Sequence, residues 1–369
     1  CKNREENKER ESGFEVQITV GDKFYAYGFS AILSKRKITS EWLYELYQNG
    51  SARCLFEREG NKRPILDNTI TLSNAEKNKF EIYADDFEGN ESSLFLTEMN
   101  RGKKYTVRSK LLFFKVVYDW IVTHIAVITP NTPLIDLEYY YDTDSLKLIN
   151  KLIETFDTGI SKVKIEEISL DELSNAMPKP VFDKVMRHVK SRIEEQENPS
   201  FRMTMRSNES FFNIEVQGHE EPKVTTIRLN HVKSFYDFGF EEESDGTRRL
   251  FDLMDMLLNK REDMLYVVDE LERSLHPKLT ERFLQLFMQL HSEQRMQLLF
   301  TTHESSIMDQ SIFRRDEIWF IERNAENASE IYSLDRFKER YDKVLSKAYL
   351  DGRYGAIPVF STFEFREEE

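Results

Sequence analysis

The sequence predicts an α/β protein that combines a parallel sheet with antiparallel strands. Three observations carry this. First, the last third alternates helical spacings with short apolar runs. It reads as a helix over Thr247–Asn259, a strand Met264–Val268, a helix Pro277–His291, a strand Gln297–Thr301, a short helix Ser305–Gln310 and a strand Glu317–Ile321. That βαβ rhythm implies parallel strands with right-handed crossovers. Second, the first sixty residues alternate apolar and polar side chains around turn residues, the pattern of antiparallel hairpins. Third, MLYVV (264–268) is largely apolar and contains β-branched residues, as in a strand buried on both faces.

The elements follow in order. Phe14–Ser30 alternates around Gly21-Asp22, a hairpin signal. EWLYELY and ARCLFERE, within Ile38–Glu59, supply two more strands, and Thr69–Tyr83 a further strand and a short helix. From Glu91 the spacing turns helical, over Ser92–Met99, Tyr105–His124 and Thr143–Phe156, with Pro130 and Pro133 marking a break. Asp157-Thr158-Gly159-Ile160 reads as a helix stop leading into a strand, Lys162–Ile168. Leu170–Glu197 is helical and charged, interrupted by Pro178 and Pro180. FRMTMRS, SFFNIEVQ and KVTTIRL then form an antiparallel meander. The expected organisation is a β-rich part over 1–90, a helical insertion over 91–198 and a second α/β part over 199–369.

Composition narrows the class. The chain has 369 residues, 40% hydrophobic, 32% charged and 12% aromatic, which is globular rather than disordered. A net charge of −14 argues against broad coating of nucleic acid, while a local basic patch stays open. Lys35-Arg36-Lys37 and Arg101–Lys110 are basic and could touch DNA, but read first as a solvated face or loop. Cys1 and Cys54 cannot make a disulfide framework, so a reducing cytoplasm is expected. No signal peptide is visible. The longest apolar stretch, Leu111–Ile128, holds Lys115, Asp119 and His124, which reads as an amphipathic helix and a strand rather than a membrane span. The opening CKNREENKERES looks like a loop cut in the middle, and a segment ahead of Cys1 is expected.

The chemistry gathers at MLYVVDELERSLHP (264–277). Open α/β sheets bind ligands beyond the carboxyl ends of their strands, and there the strand meets Asp269 and Glu270. One acid can hold Mg²⁺, a hard cation that prefers oxygen. The next can orient or deprotonate the water that attacks a phosphate. This is a Walker B pattern with a catalytic glutamate. Upstream, Glu243-Ser244-Asp245-Gly246-Thr247 opens a helix. Its hydroxyls and free N–H groups fit an anion; taken alone, Ser, Asp and Thr there more often make an ordinary N-cap. Downstream, LLFTTH ends a second buried strand in His303, which can reach a phosphate or its attacking water, or be a plain surface histidine. His276 sits in a turn before Pro277, a first helical residue.

The ordered set of these elements resembles the ABC-type ATPase heads, in the branch with RecF, OLD and the SMC proteins. It is similar in particular to prokaryotic AAA-labelled ATPases of the AbiL and RloA type. The likeness runs over most of the chain, through ESDGTRRLFDL (243–253), VVDELERSLHP (267–277), LLFTTHES (298–305), RRDEIWFIER (314–323) and YLDGRYGAIP (349–358), with SEWLYEL (40–46) and FDTGI (156–160). The resemblance implies an ABC-type head with a mixed or parallel central sheet flanked by helices, an antiparallel β-subdomain and a helical insertion. By it, Asp269 is the magnesium residue, Glu270 the catalytic base and His303 the switch histidine. Ser244, Gly246 and Thr247 stand in the signature that contacts ATP held by the opposite subunit, and Glu272–Leu275, with Ser274, in the D-loop across the dimer axis. The implied cofactors are ATP and Mg²⁺. The implied assembly is a homodimer closed by ATP, with a separate effector protein in phage defence, no membrane, and DNA contact left open.

One departure matters. No G-x-x-x-x-G-K-[S/T] occurs; the only Gly-Lys, Gly102-Lys103, lacks the loop. The family carries that loop near its N-terminus, so the resemblance leads to the expectation that it lies upstream of Cys1 and that this chain alone is inactive. Two rivals stand beside the ATPase reading: DNA maintenance in the RecF or SMC manner, and a non-hydrolysing interaction module.

Overall fold

The computed structural model describes residues 5–130, 138–141, 143–207, 210–338 and 344–358. Cys1 and Pro133 lie outside the described residues. Two compact units account for the chain, one built from residues 1–125 and 323–330, the other from 126–322 and 331–369.

The first unit is an antiparallel sheet in simple order: β1 (Ser12–Val20), β2 (Lys23–Ile32), β3 (Lys37–Leu46), β4 (Ala52–Glu59) and β5 (Ile65–Leu66). Gly21 takes φ +64° at the turn, and Val20 pairs with Lys23 across it, as the hairpin patterning predicts. Three helices follow: α1 (Asn74–Phe87), α2 (Phe95–Asn100) and α3 (Leu112–His124). They bury Phe80, Phe87, Phe95, Leu96 and Phe114 in one core with Leu43 and Phe56 of the sheet. Each such side chain contributes about 1.5–3 kcal/mol relative to exposure.

Two expected boundaries shift, for local reasons. The strand and short helix expected over Thr69–Tyr83 become β5, earlier, and a longer α1. Ser73 starts that helix through a capping box: its hydroxyl accepts from the Glu76 N–H, and the Glu76 carboxylate accepts from the Ser73 N–H. The helix expected from Tyr105 begins only at Leu112. Glu76 also holds the preceding turn, accepting from the Ser109 hydroxyl and the Lys110 N–H, both at 2.8 Å.

Buried polar groups tie β3 to α2. Glu41 accepts from the N–H groups of Phe95 (2.7 Å) and Leu96 (2.9 Å) and from the Tyr27 hydroxyl (3.0 Å). Arg58 stands 3.5 Å from it, and neither side chain is exposed.

The second unit begins with β6 (Ile125–Ile128), α4 (Thr143–Glu154), β7 (Ile160–Ile168), α5 (Leu170–Asn175) and α6 (Lys179–Glu194). Next come β8 (Ser200–Ser207), β9 (Ser210–Gln217), β10 (Lys223–His231) and β11 (Asp237–Gly239). β8, β9 and β10 form the expected antiparallel meander, extended by β11 and by β7, which also pairs with β10. Residues 91–198 were expected as one helical insertion. Their strands β6 and β7 instead enter two different sheets, and the compact units divide near Ile125 rather than at 90 and 198.

The unit closes with α7 (Asp245–Leu258), β12 (Leu265–Val268), α8 (Pro277–Leu290), β13 (Gln297–Phe300), β14 (Trp319–Arg323), β15 (Ser329–Ser333) and α9 (Leu345–Leu350). β12 and β13 pair in parallel, Val267 beside Leu299, with β6 on the other side of β12. The parallel sheet thus has one strand from before the meander. β14, expected as part of it, pairs instead with β15 in a separate two-stranded sheet. The helix expected over Ser305–Gln310 is a single 3₁₀ turn, Ser305–Ile307.

One face of the parallel sheet is a core. Tyr266 and Val268 pack with Leu250, Leu253, Met254 and Leu257 of α7 and with Phe283 and Phe287 of α8. Strand alternation puts Val127, Leu265, Val267 and Leu299 on the other face. There Val127 and Leu299 are each 61% exposed. Among the described residues no helix is long and apolar enough to cross a membrane.

Candidate functional site

β12 delivers Asp269 and Glu270 to the carboxyl end of the parallel sheet. The Asp269 N–H donates to the Ile128 carbonyl (2.8 Å), so the acid leaves the sheet on a bond to β6. Its side chain is exposed. The Thr301 hydroxyl, at the end of β13, donates to Asp269 Oδ1 at 2.6 Å and accepts from the Glu270 N–H at 2.9 Å. One threonine therefore sets the position of both acids.

His303 Nε2 stands 3.9 Å from Glu270 Oε1, and its ring is open to solvent. Its N–H donates to Glu272 Oε1 at 2.8 Å, holding the end of β13 against the turn after β12. Glu272 Oε2 is buried and has no hydrogen-bond partner among the described residues. The sheet thus brings together Asp269, Glu270 and His303, the three residues that sequence reasoning placed at its rim.

The second group gathers at the start of α7. Ser244 is its N-cap: the Ser244 hydroxyl accepts from the Thr247 N–H (3.1 Å) and lies 3.0 Å from the Thr247 hydroxyl. Gly246 faces the turn that carries Ser274. A Cβ on Gly246 would stand 2.6 Å from the Ser274 carbonyl oxygen, so only glycine allows this approach. Ser274 itself has φ +62° and Glu270 φ +50°. A left-handed backbone at a non-glycine residue costs about 1–2 kcal/mol, and such strain concentrates at functional sites. His276 only caps α8, its Nδ1 accepting from the Lys278 N–H at 3.2 Å, with Pro277 opening the helix.

Arg249 joins the two groups. It lies on α7 among apolar neighbours, 6% exposed, and donates to the Glu270 carbonyl at 3.4 Å. Burial lowers its pKa from the ordinary arginine value, against the pull of Asp252, Glu272 and Glu270. Arg249 and Thr301 were not singled out from the sequence. The signal for Arg249 was a charge on the apolar stripe of a helix; a threonine ending a strand gives none.

Mg²⁺ at phosphate-transfer sites is usually held by one or two carboxylates plus substrate oxygens rather than by a protein cage. Among the described residues no group of three or more His, Cys, Asp or Glu side chains has the geometry to hold a metal. An exposed Asp269 carboxylate beside the Thr301 hydroxyl, all oxygen donors, fits the Mg²⁺ pattern.

An α/β fold with an acid pair and a histidine at the ends of adjacent parallel strands, and a capped helix start packed against the Ser274 turn, is the class of this protein. The family described as "AAA domain, putative AbiEii toxin, Type IV TA system" matches residues 5–309, and the chain belongs to it. Among solved structures it is similar to an Smc head bound to the C-terminal winged-helix domain of ScpA, at 10% identity and a TM-score of 0.30, over 84% of this chain and 74% of that one. It is also similar to an Smc head domain with an extended coiled coil, bound to the C-terminal domain of ScpA derived from Pyrococcus furiosus. There the identity is 10%, the TM-score 0.29, and the coverage 85% of this chain and 77% of that one. No curated protein matches the chain.

Proposed function

We propose that this chain is the head of an ABC-type ATPase whose ATP sites lie between two copies, so that ATP closes a homodimer and hydrolysis opens it. The observation that carries the reading is the convergence of Asp269, Glu270 and His303 around Thr301. In this reading Asp269 holds Mg²⁺, which when bound offsets phosphate charge. Glu270 orients the attacking water and takes its proton. His303, solvent-facing and near Glu270, reaches the terminal phosphate. Ser244, Gly246 and Thr247 present a hydroxyl and helix N–H groups to the nucleotide of the opposite copy, and Ser274 lines the dimer axis. Charge stabilisation of this kind is the core of phosphoryl transfer.

Tight binding also needs a phosphate-cradling loop. These 369 residues contain none of the Walker A form, so the reading requires one in addition to them. The uncovered apolar face of Val127, Leu265, Val267 and Leu299 offers a seat for that loop's helix. The 369 residues alone are then expected to bind Mg-ATP negligibly, and calorimetry showing micromolar binding would contradict this.

The biological setting we propose, by resemblance to AbiL and RloA proteins, is cytoplasmic phage defence with a separate effector. The net charge of −14 supports a protein partner over broad DNA contact. The test is turnover by the full-length protein. Glu270→Gln should cut it by about 10²–10⁴-fold, the usual contribution of a positioned base. Turnover at the wild-type rate would overturn the assignment.

A further inference from the structure

The Asp157-Thr158-Gly159-Ile160 turn has no part in the site described so far. The structure ties it to the helix start at Ser244. Glu243, immediately before Ser244, is extended (φ −78°, ψ 155°), and its side chain is only 6% exposed. It points at His231, whose Nε2 lies 2.6 Å from Glu243 Oε1. His231 ends β10, where its pairing with β7 shifts register between Asn230 and His231. The ring packs edge-on to Phe238 of β11, with centroids 4.8 Å apart. On its other side lies Gly159. A Cβ there would stand 3.5 Å from His231 Nδ1, on a backbone of φ +81° that side chains rarely adopt. The Gly159 carbonyl accepts from the Val232 N–H at 2.9 Å. The ends of β7, β10 and β11 thus close around one imidazole, and that imidazole holds the residue next to Ser244.

We infer that His231 is a positioning residue for Ser244 and Gly246: through Glu243 it fixes the approach of the α7 start to the nucleotide of the opposite copy. A buried carboxylate is costly unless paired. Without the imidazole, Glu243 turns toward water and takes the adjoining turn with it. A displacement of about 1 Å at a catalytic contact can cost on the order of 10²-fold in rate. The effect falls on the partner's site, not on the subunit that carries His231. This inference rests on the proposed ATP-closed dimer.

Subunit mixing in the full-length protein tests it. His231→Ala should lower turnover about 10²-fold while nucleotide affinity of the monomer stays at the wild-type value. His231→Gln, which keeps a donor at a similar reach, should recover much of the rate. Mixing His231→Ala with Glu270→Gln subunits should restore single-turnover hydrolysis. One site of the mixed dimer then joins an intact Glu270 to an intact Ser244 turn. No restoration on mixing, or wild-type turnover by His231→Ala, would overturn this inference alone. A wild-type protein that does not hydrolyse ATP would overturn the ATPase reading and this inference with it.

Discussion

Gly246 and Ser274 meet so closely that a single methyl group on the glycine would lie 2.6 Å from the serine carbonyl oxygen. The start of α7 and the turn after β12 are therefore one surface. Gly246→Ala should force them apart, destabilising by about 1–3 kcal/mol as overpacking does. Thermal unfolding of the variant beside the wild type measures this. An unchanged midpoint would mean that the two segments move freely past one another.

Thr301 makes a sharper prediction, because its hydroxyl serves Asp269 and Glu270 at once. Thr301→Val keeps the shape and removes both bonds. Stability should fall by about 0.5–1.5 kcal/mol per hydrogen bond lost. Turnover should fall further than stability does, since both acids lose their alignment. Steady-state kinetics at matched folded fraction separates the two effects, and wild-type kinetics would exclude the role.

Much of this arrangement was legible in the sequence, and the reasons differ by residue. An apolar run ending in Asp269-Glu270 marks a buried strand and its carboxyl end together, so a position follows directly. Ser244 and Gly246 were legible as a helix start. Their contact with Ser274 was not, because it depends on a close approach of two backbones that no periodicity encodes. Thr301 looks like any strand threonine and Arg249 like any helix arginine until burial is known. β15 escaped notice because SEIYS is short and half polar. β14 was expected in the parallel sheet because apolar runs do not show which partner they take. The capping box at Ser73 and Glu76, by contrast, is written in the sequence as Ser-x-x-Glu, but the expectation over Thr69–Tyr83 does not use it and so misses the start of α1.

The first unit carries its own test. Arg58 and Glu41 are both inaccessible, and Arg58 also donates to the carbonyls of Asn90 (2.7 Å) and Ser93 (3.2 Å). Arg58→Ala strands the Glu41 carboxylate and two carbonyl acceptors in the interior. A loss of about 3–5 kcal/mol is expected. Chemical denaturation gives the value, and a change under about 1 kcal/mol would show that the pair is not held as described.

Glu76 sets a pH dependence. Burial is the largest single influence on its carboxyl group and raises the pKa, but the hydrogen bonds from Ser73, the Ser109 hydroxyl and the Lys110 N–H together outweigh it and bring the value to about 2. A folded pKa below the unfolded one gives stability that is full above the unfolded value of about 4.3 and fades as pH falls towards 2. Amide exchange in α1 should therefore speed up across that window relative to Glu76→Gln, in which the step is absent. Identical profiles for the two proteins would remove the capping box as the cause.

The central claim is that ATP joins two copies of this chain through Glu270 and the Ser244 turn. Light scattering on full-length Glu270→Gln, with and without Mg-ATP, tests it most directly. The account predicts a monomer mass without nucleotide and a stable doubled mass with it. The same mass under both conditions would contradict it.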